Sequence, residues 1–145
     1  MKTYVLFSLL ILQAFAALQA VEIKACDQSM VLEGEFTYKK RVKKSKQIEV
    51  IKERGVLKET WEGNDQAYSS LYVKGLEADA VIVSKIAQNK VLSSKEFSLK
   101  KSASESLIDQ FNFSTYVLGA KKPFKLKLDF IKDKKIKCFR EMQIV

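Results

Sequence analysis

Histidine is absent from the whole chain, which removes the general base of Ser-His-Asp and Cys-His nucleophilic mechanisms. Histidine-ligated zinc, copper and non-haem iron sites lose their usual ligand as well. Glycine is scarce, and Gly34, Gly55, Gly63, Gly75 and Gly119 are too scattered to form a phosphate-cradling loop. Proline occurs once, at Pro123, and there is no internal repeat or low-complexity tract, so neither a second domain nor a disordered linker is expected. The two cysteines, Cys26 and Cys138, are too distant for a CxxC redox motif and too few for a tetrahedral zinc site. No metal and no cofactor is expected.

Paired carboxylates remain as a route to catalysis, as in glycoside hydrolysis. Glu59, Glu62 and Asp65 flank Trp61, a residue type that stacks on sugars. The plainer account is an exposed strand end beside a core tryptophan, and so short a chain leaves little room for a cleft. The expectation is that the protein is not an enzyme.

What is present points first to export. Met1-Lys2, an apolar run from Tyr4 to Leu12 and a small-residue exit ending at Ala20 describe a secretory signal peptide over 1–20, with cleavage after Ala16 as the alternative. The apolar run is short for a membrane span and is broken by Gln13. Residues 21–145 would then form one secreted or periplasmic domain with no transmembrane anchor. Acylation at Cys26 is disfavoured, because Glu22 and Lys24 stand where a lipobox is uncharged. Two cysteines in an exported chain predict one disulfide, Cys26 to Cys138. That bridge closes most of the chain into one loop and constrains the unfolded state by about 4–5 kcal/mol. Two buried thiols are the alternative.

The formal charge is +9, and nearly all of the positive charge is lysine, the only arginines being Arg41, Arg54 and Arg140. Lysine is a hydrated point charge without the planar fork that reads bases and phosphates bidentately. Diffuse attraction to an anionic glycan, a lipid headgroup or an acidic protein surface is favoured, and no specific nucleic acid is expected. The densest cluster spans residues 39–46 and contains Lys39, Lys40, Arg41, Lys43, Lys44 and Lys46. Lys125 and Lys127, with Lys135 and Lys137, would join it if their strands were neighbours. A solvated edge strand kept soluble by lysine is the simpler account.

Hydrophobic periodicity is mostly two. Phe124, Leu126, Leu128 and Phe130 alternate with Lys125, Lys127 and Asp129, and Met30, Leu32, Phe36 and Tyr38 alternate with Glu33, Glu35, Thr37 and Lys39. Gly34 interrupts the second series and would tolerate a bend or bulge. Arg54-Gly55 reads as the turn of a hairpin with arms over 47–53 and 56–62, and residues 63–66 as a further turn. Residues 68–74 read as a strand with Leu71 and Val73 opposite Tyr68 and Tyr72; residues 80–86 as a central strand, with a helix from Leu76 as the alternative; and 91–99 as a strand with Phe97 and Leu99 inward. Ser102-Ala103-Ser104-Glu105 has the form of a capping box, with Leu107, Ile108 and Phe111 at helical spacing, so one short helix is expected near 102–111. Phe111, Phe113, Thr115 and Val117 then favour a strand.

Together these signals predict an all-β fold, an antiparallel β-sandwich or small β-barrel of about eight or nine strands. Phe36, Tyr38, Phe97, Phe111, Phe113, Phe124 and Phe130 would fill a sandwich core or line a barrel cavity. Asn112-Phe113-Ser114 matches an N-glycosylation sequon, of consequence only in a eukaryotic host. The leading functional expectation is a non-catalytic binding module that engages an anionic surface through lysine. The alternatives are a carrier of a small hydrophobic ligand, and an inhibitor or structural partner of another secreted protein.

Overall fold

The structure, a computed structural model, describes residues 22–44, 46–62, 67–102, 104–108, 111–117 and 121–145. The predicted leader and the predicted turn at 63–66 lie outside the described residues, as does Gly119. The elements are β1 (Val31–Arg41), β2 (Ile48–Val56), β3 (Thr60–Trp61), β4 (Ser70–Lys74), β5 (Ala80–Ala87), β6 (Lys90–Ser98), β7 (Lys100–Lys101), β8 (Ser106–Ile108), one helical turn α1 (Ser114–Val117), β9 (Phe124–Lys132) and β10 (Lys135–Ile144). They form two five-stranded sheets, ordered β2-β1-β4-β8-β7 and β3-β10-β9-β5-β6. All pairings are antiparallel except β3 with β10. Among the described residues no ladder joins one sheet to the other, so the fold is a sandwich and not a closed barrel.

Alternation decides what lies inside. Phe124, Leu126, Leu128 and Phe130 of β9 meet Val81 and Val83 of β5 and Cys138, Met142 and Ile144 of β10 in one buried layer. Leu32, Leu71, Val73 and Ile108 supply the facing layer from the first sheet. The two-residue turns that close β5–β6 and β9–β10 need positive φ at both positions. Gln88-Asn89 and Asp133-Lys134 adopt it, at 51°, 60°, 50° and 64°.

Several expectations are corrected. Arg54-Gly55 is not a turn: residues 48–56 form one continuous strand, whose register with β1 sets Gly55 opposite Gly34. Gly34 makes no bulge either. The ring of Tyr68 lies against it, so a Cβ there would sit 2.2 Å from a ring carbon. Tyr68 precedes β4 and escapes its pleat, which is how it turns inward while Tyr72 faces out. The helix expected near 102–111 is also absent. The Ser102 N–H and hydroxyl both donate to the Glu105 carbonyl, at 2.9 and 3.0 Å, making a tight turn between β7 and β8. Ser106 and Ile108 are then buried on a period of two, because β8 gains a ladder with β4 that a helix would forfeit. The helical turn falls later, at α1, where a strand was expected.

The disulfide Cys26–Cys138 forms across 112 residues. It ties the segment before β1 to β10, and so links the two sheets covalently. Beside it the Cys26 N–H donates to the Phe139 carbonyl at 2.9 Å, and the Phe139 N–H donates to the Lys24 carbonyl at 3.1 Å. A bridged Cys26 has no thiol left to acylate.

Candidate functional site: a basic ribbon at one end of the sandwich

β1 pairs with β4 only over residues 31–35, whereas its ladder with β2 continues to Arg41. Residues 36–41 and 48–53 therefore leave the sheet as a two-stranded ribbon, about 20 Å long at strand rise. Its root is held by aromatic contact. Phe36 stacks on Tyr38 with centroids 6.2 Å apart and meets Tyr68 edge-on at 6.3 Å. The Tyr38 hydroxyl donates to Glu53 Oε1 at 2.7 Å.

Register sorts the ribbon into two unlike faces. Directly paired residues share a face, so the pairs Thr37–Lys52, Lys39–Val50 and Arg41–Ile48 lie together. That face carries three cations and no carboxylate. The opposite face holds Lys40 with Glu49 and Glu53. Lys43, Lys44 and Lys46 occupy the tip, and the Val42 N–H donates to the Gln47 carbonyl at 3.1 Å. None of these ribbon cations forms an ion pair with a described carboxylate.

Several lysines elsewhere in the sandwich are engaged by carboxylates. Lys74 Nζ is 3.1 Å from Glu33, Lys101 and Lys132 reach Asp79 Oδ1 at 3.0 and 3.6 Å, and Lys125 lies 3.9 Å from Glu141. Asp79 also accepts the Asp133 N–H at 3.1 Å. Lys101 chiefly, with that N–H, holds its carboxyl down to about 2. Lys125 and Lys127 stand on β9, in the other sheet from β1, so they do not extend the ribbon's patch. Strand adjacency therefore does not enlarge the basic cluster visible in the sequence.

Arg54, at the base of β2, is no free cation. Its Nε is 2.5 Å from Glu33 Oε2, its Nη1 donates to Glu105 Oε1 at 3.0 Å, and its Nη2 meets Glu105 Oε2. The guanidinium lies 3.5 Å from the centroid of Tyr72. Hydrogen bonds from Lys74 and Arg54 hold the Glu33 carboxyl below the usual range, and Arg54 does the same for Glu105. Sequence reasoning missed this network, because its members lie on β1, β2, β4 and the β7–β8 turn.

Asp129 is the converse case. Its parity places it on the outer face of β9, between Ile82 and Phe139 on the neighbouring strands. It is nonetheless buried, with Oδ1 lacking a hydrogen bond and Lys127 Nζ 3.7 Å away. Burial pushes its pKa up from the ordinary 3.8, against the pull of Lys127. The folded state therefore holds this proton to higher pH than the unfolded chain, and stability falls as pH rises from 3.8 through the folded value. Asp129→Asn is expected to match or exceed the parent's stability at pH 7. The difference should shrink toward pH 3 in denaturation curves; a variant less stable at pH 7 than at pH 3, relative to parent, would contradict this account.

Asn112 is exposed between the buried Phe111 and Phe113, and its carbonyl accepts the Thr115 N–H and hydroxyl at 3.2 and 2.8 Å. A depression of about 560 Å³ opens at the other end of the molecule, lined by Gly75, Leu76, Glu77, Lys101, Ser104 and Lys132 among others. Both of its lysines are already committed to Asp79. Glu59 and Glu62 are exposed beside a buried Trp61, and Asp65 lies outside the described residues. Among the described residues no three metal-ligating side chains cluster, and no helix is long and apolar enough to cross a membrane. No family model, no curated protein and no solved structure matches this chain.

Proposed function

We propose that the chain is an exported, non-catalytic binding module that docks on an anionic surface through the β1–β2 ribbon. The observation that carries this reading is the concentration of unpaired cations on one element that extends beyond its sheet partner β4. Seven cations, Lys39, Lys40, Arg41, Lys43, Lys44, Lys46 and Lys52, stand on one two-stranded element with no described carboxylate paired to any of them, whereas Lys74, Lys101, Lys125 and Lys132 in the body of the sandwich each meet one. Concentrated unpaired charge on a protruding element attracts and orients an oppositely charged surface. A disulfide between the sheets accords with export.

The test is binding to heparin and to anionic vesicles as salt is raised. Exposed charges are screened, so affinity is expected to fall at least tenfold from low to physiological salt. A lysine near an anionic surface contributes about 1 kcal/mol. Lys43→Glu, Lys44→Glu and Lys46→Glu combined should therefore weaken binding by roughly 100-fold or more. Lys125→Glu with Lys127→Glu should change it little. Equal losses from both sets would remove the ribbon's claim to be the docking element.

A specific feature supports a second reading, a carrier of an apolar ligand. At this end the space between the sheets is filled in part by Phe111, Phe113 and Val117, which come from an irregular segment and α1 rather than from a strand. The rings of Phe111 and Phe113 join Trp61, Tyr68, Phe97 and Tyr116 in a continuous aromatic series. Lys122 lies 4.8 Å over Trp61, and Lys85 lies 4.4 Å over Phe124. Displacing that plug would expose an aromatic chamber with cations beside it, suited to an amphipathic anion. Native mass spectrometry of the exported protein tests this reading: a co-purifying species that leaves on denaturation favours it, and a clean mass after incubation with fatty acid disfavours it.

A further inference from the structure

We infer that the anionic surface met by the ribbon is a lipid bilayer rich in anionic headgroups, and that Ile48 and Val50 enter its interface. The inference rests on the docking reading above and names the partner. Cross-strand pairing sets Arg41 beside Ile48 and Lys39 beside Val50. Both aliphatic side chains are strongly exposed, at 62% and 61%. A face that alternates cations with bare aliphatic groups matches the bilayer boundary. There lysine and arginine stems lie along apolar surface while their charges reach the headgroups.

Other occupants fit less well. A sulfated glycan or an acidic protein surface would satisfy the cations but leave Ile48 and Val50 against polar groups. A second copy of this chain, added along the open edge of β2, would bring two cationic ribbons together. A bilayer satisfies both components at once, and a ribbon held clear of the sandwich reaches it without the body intervening. The same end carries a second exposed aliphatic pair, Val91 and Leu92. They follow the β5–β6 turn, and β5 and β1 both run toward the end marked by Phe124, Trp61 and Ile144.

The experiment compares the full disulfide-bonded protein with Ile48→Thr/Val50→Thr on two probes. One is heparin; the other is vesicles of phosphatidylcholine with and without phosphatidylserine. Threonine keeps the β-branch and the strand preference while removing apolar surface. The parent should bind phosphatidylserine vesicles and not phosphatidylcholine alone. The variant should lose on the order of tenfold on those vesicles, as two aliphatic groups leave the interface, and keep its heparin affinity. A parent that binds heparin but not vesicles overturns the bilayer while leaving electrostatic docking in place. So does a variant unchanged on both probes. A parent that binds neither probe defeats the docking reading itself. As an independent readout, Val50→Trp should be quenched by brominated acyl chains, against a background from the buried Trp61. Absence of quenching in the vesicle-bound state would also overturn insertion.

Discussion

Replacing both cysteines, as Cys26→Ala with Cys138→Ala, is expected to lower unfolding free energy by about 4–5 kcal/mol. The bridge spans 112 residues, and in the chain-entropy model nearly the whole effect is freedom returned to the unfolded chain. Two structural facts make the loss fall on the fold as a whole. Cys26 lies in the segment that leads into β1 of the first sheet and Cys138 belongs to β10 of the second, so the bridge is a covalent tie across the sandwich. It also pins a short segment that otherwise depends on the hydrogen bonds between Lys24, Cys26 and Phe139, together with the Arg140 Nη2 donation to the Met30 carbonyl at 3.1 Å. Domains of this size are stable by only about 5–15 kcal/mol, so the variant should sit close to its unfolding threshold at growth temperature. Urea titration with and without reductant measures it. A loss below about 1 kcal/mol would mean that the denatured chain is already held compact by other means.

Phe113→Ala should cost about 3–5 kcal/mol, the range for removing a fully buried aromatic ring. Phe113 has no exposed surface, and three rings converge on it: Trp61 at 5.5 Å, Tyr68 at 5.7 Å and Phe111 at 6.3 Å. Its N–H donates to the Tyr68 carbonyl at 3.0 Å, which fixes the irregular segment to the loop before β4. The neighbours cannot collapse readily, because Tyr68 rests on Gly34 and Trp61 is held by the β3 ladder to β10. A dry apolar cavity is therefore expected, and such cavities accept benzene. The expected result is a large drop in denaturant midpoint, partly recovered by benzene. A loss under about 1.5 kcal/mol would show that the plug is loosely seated, which would strengthen the carrier reading.

Legibility in the sequence followed the range of the forces involved. The alternation in residues 124–130 is local, because each side chain's face depends only on its parity, and β9 formed as that pattern requires. The basic cluster at 39–46 could be seen for the same reason. Its consequence could not, because β1 leaves β4 after Glu35 only by virtue of where β4 begins, at Ser70. The capping-box pattern at Ser102 failed for a related cause. A three-residue strand has little preference of its own, and Ser106, Leu107 and Ile108 are strand because β4 was there to pair with. Arg54-Gly55 looked like a turn because glycine commonly marks one; in the fold Gly55 is still within β2, one residue from its end and opposite Gly34, beneath which no local signal placed the Tyr68 ring.

Residue types and their spacing determined by themselves an all-β chain, the pairing of its only two cysteines, the inward faces of β1, β4 and β9 and the position of the densest positive charge. Those properties need no knowledge of which strands are neighbours. Only the tertiary structure decided that the strands divide into two sheets and that Lys125 and Lys127 stand apart from the ribbon. It alone placed Arg54 between two carboxylates and set Ile48 and Val50 beside Arg41 and Lys39. Each of these is a relation between segments distant in the chain, created when burial of apolar faces selects one set of strand neighbours over all others.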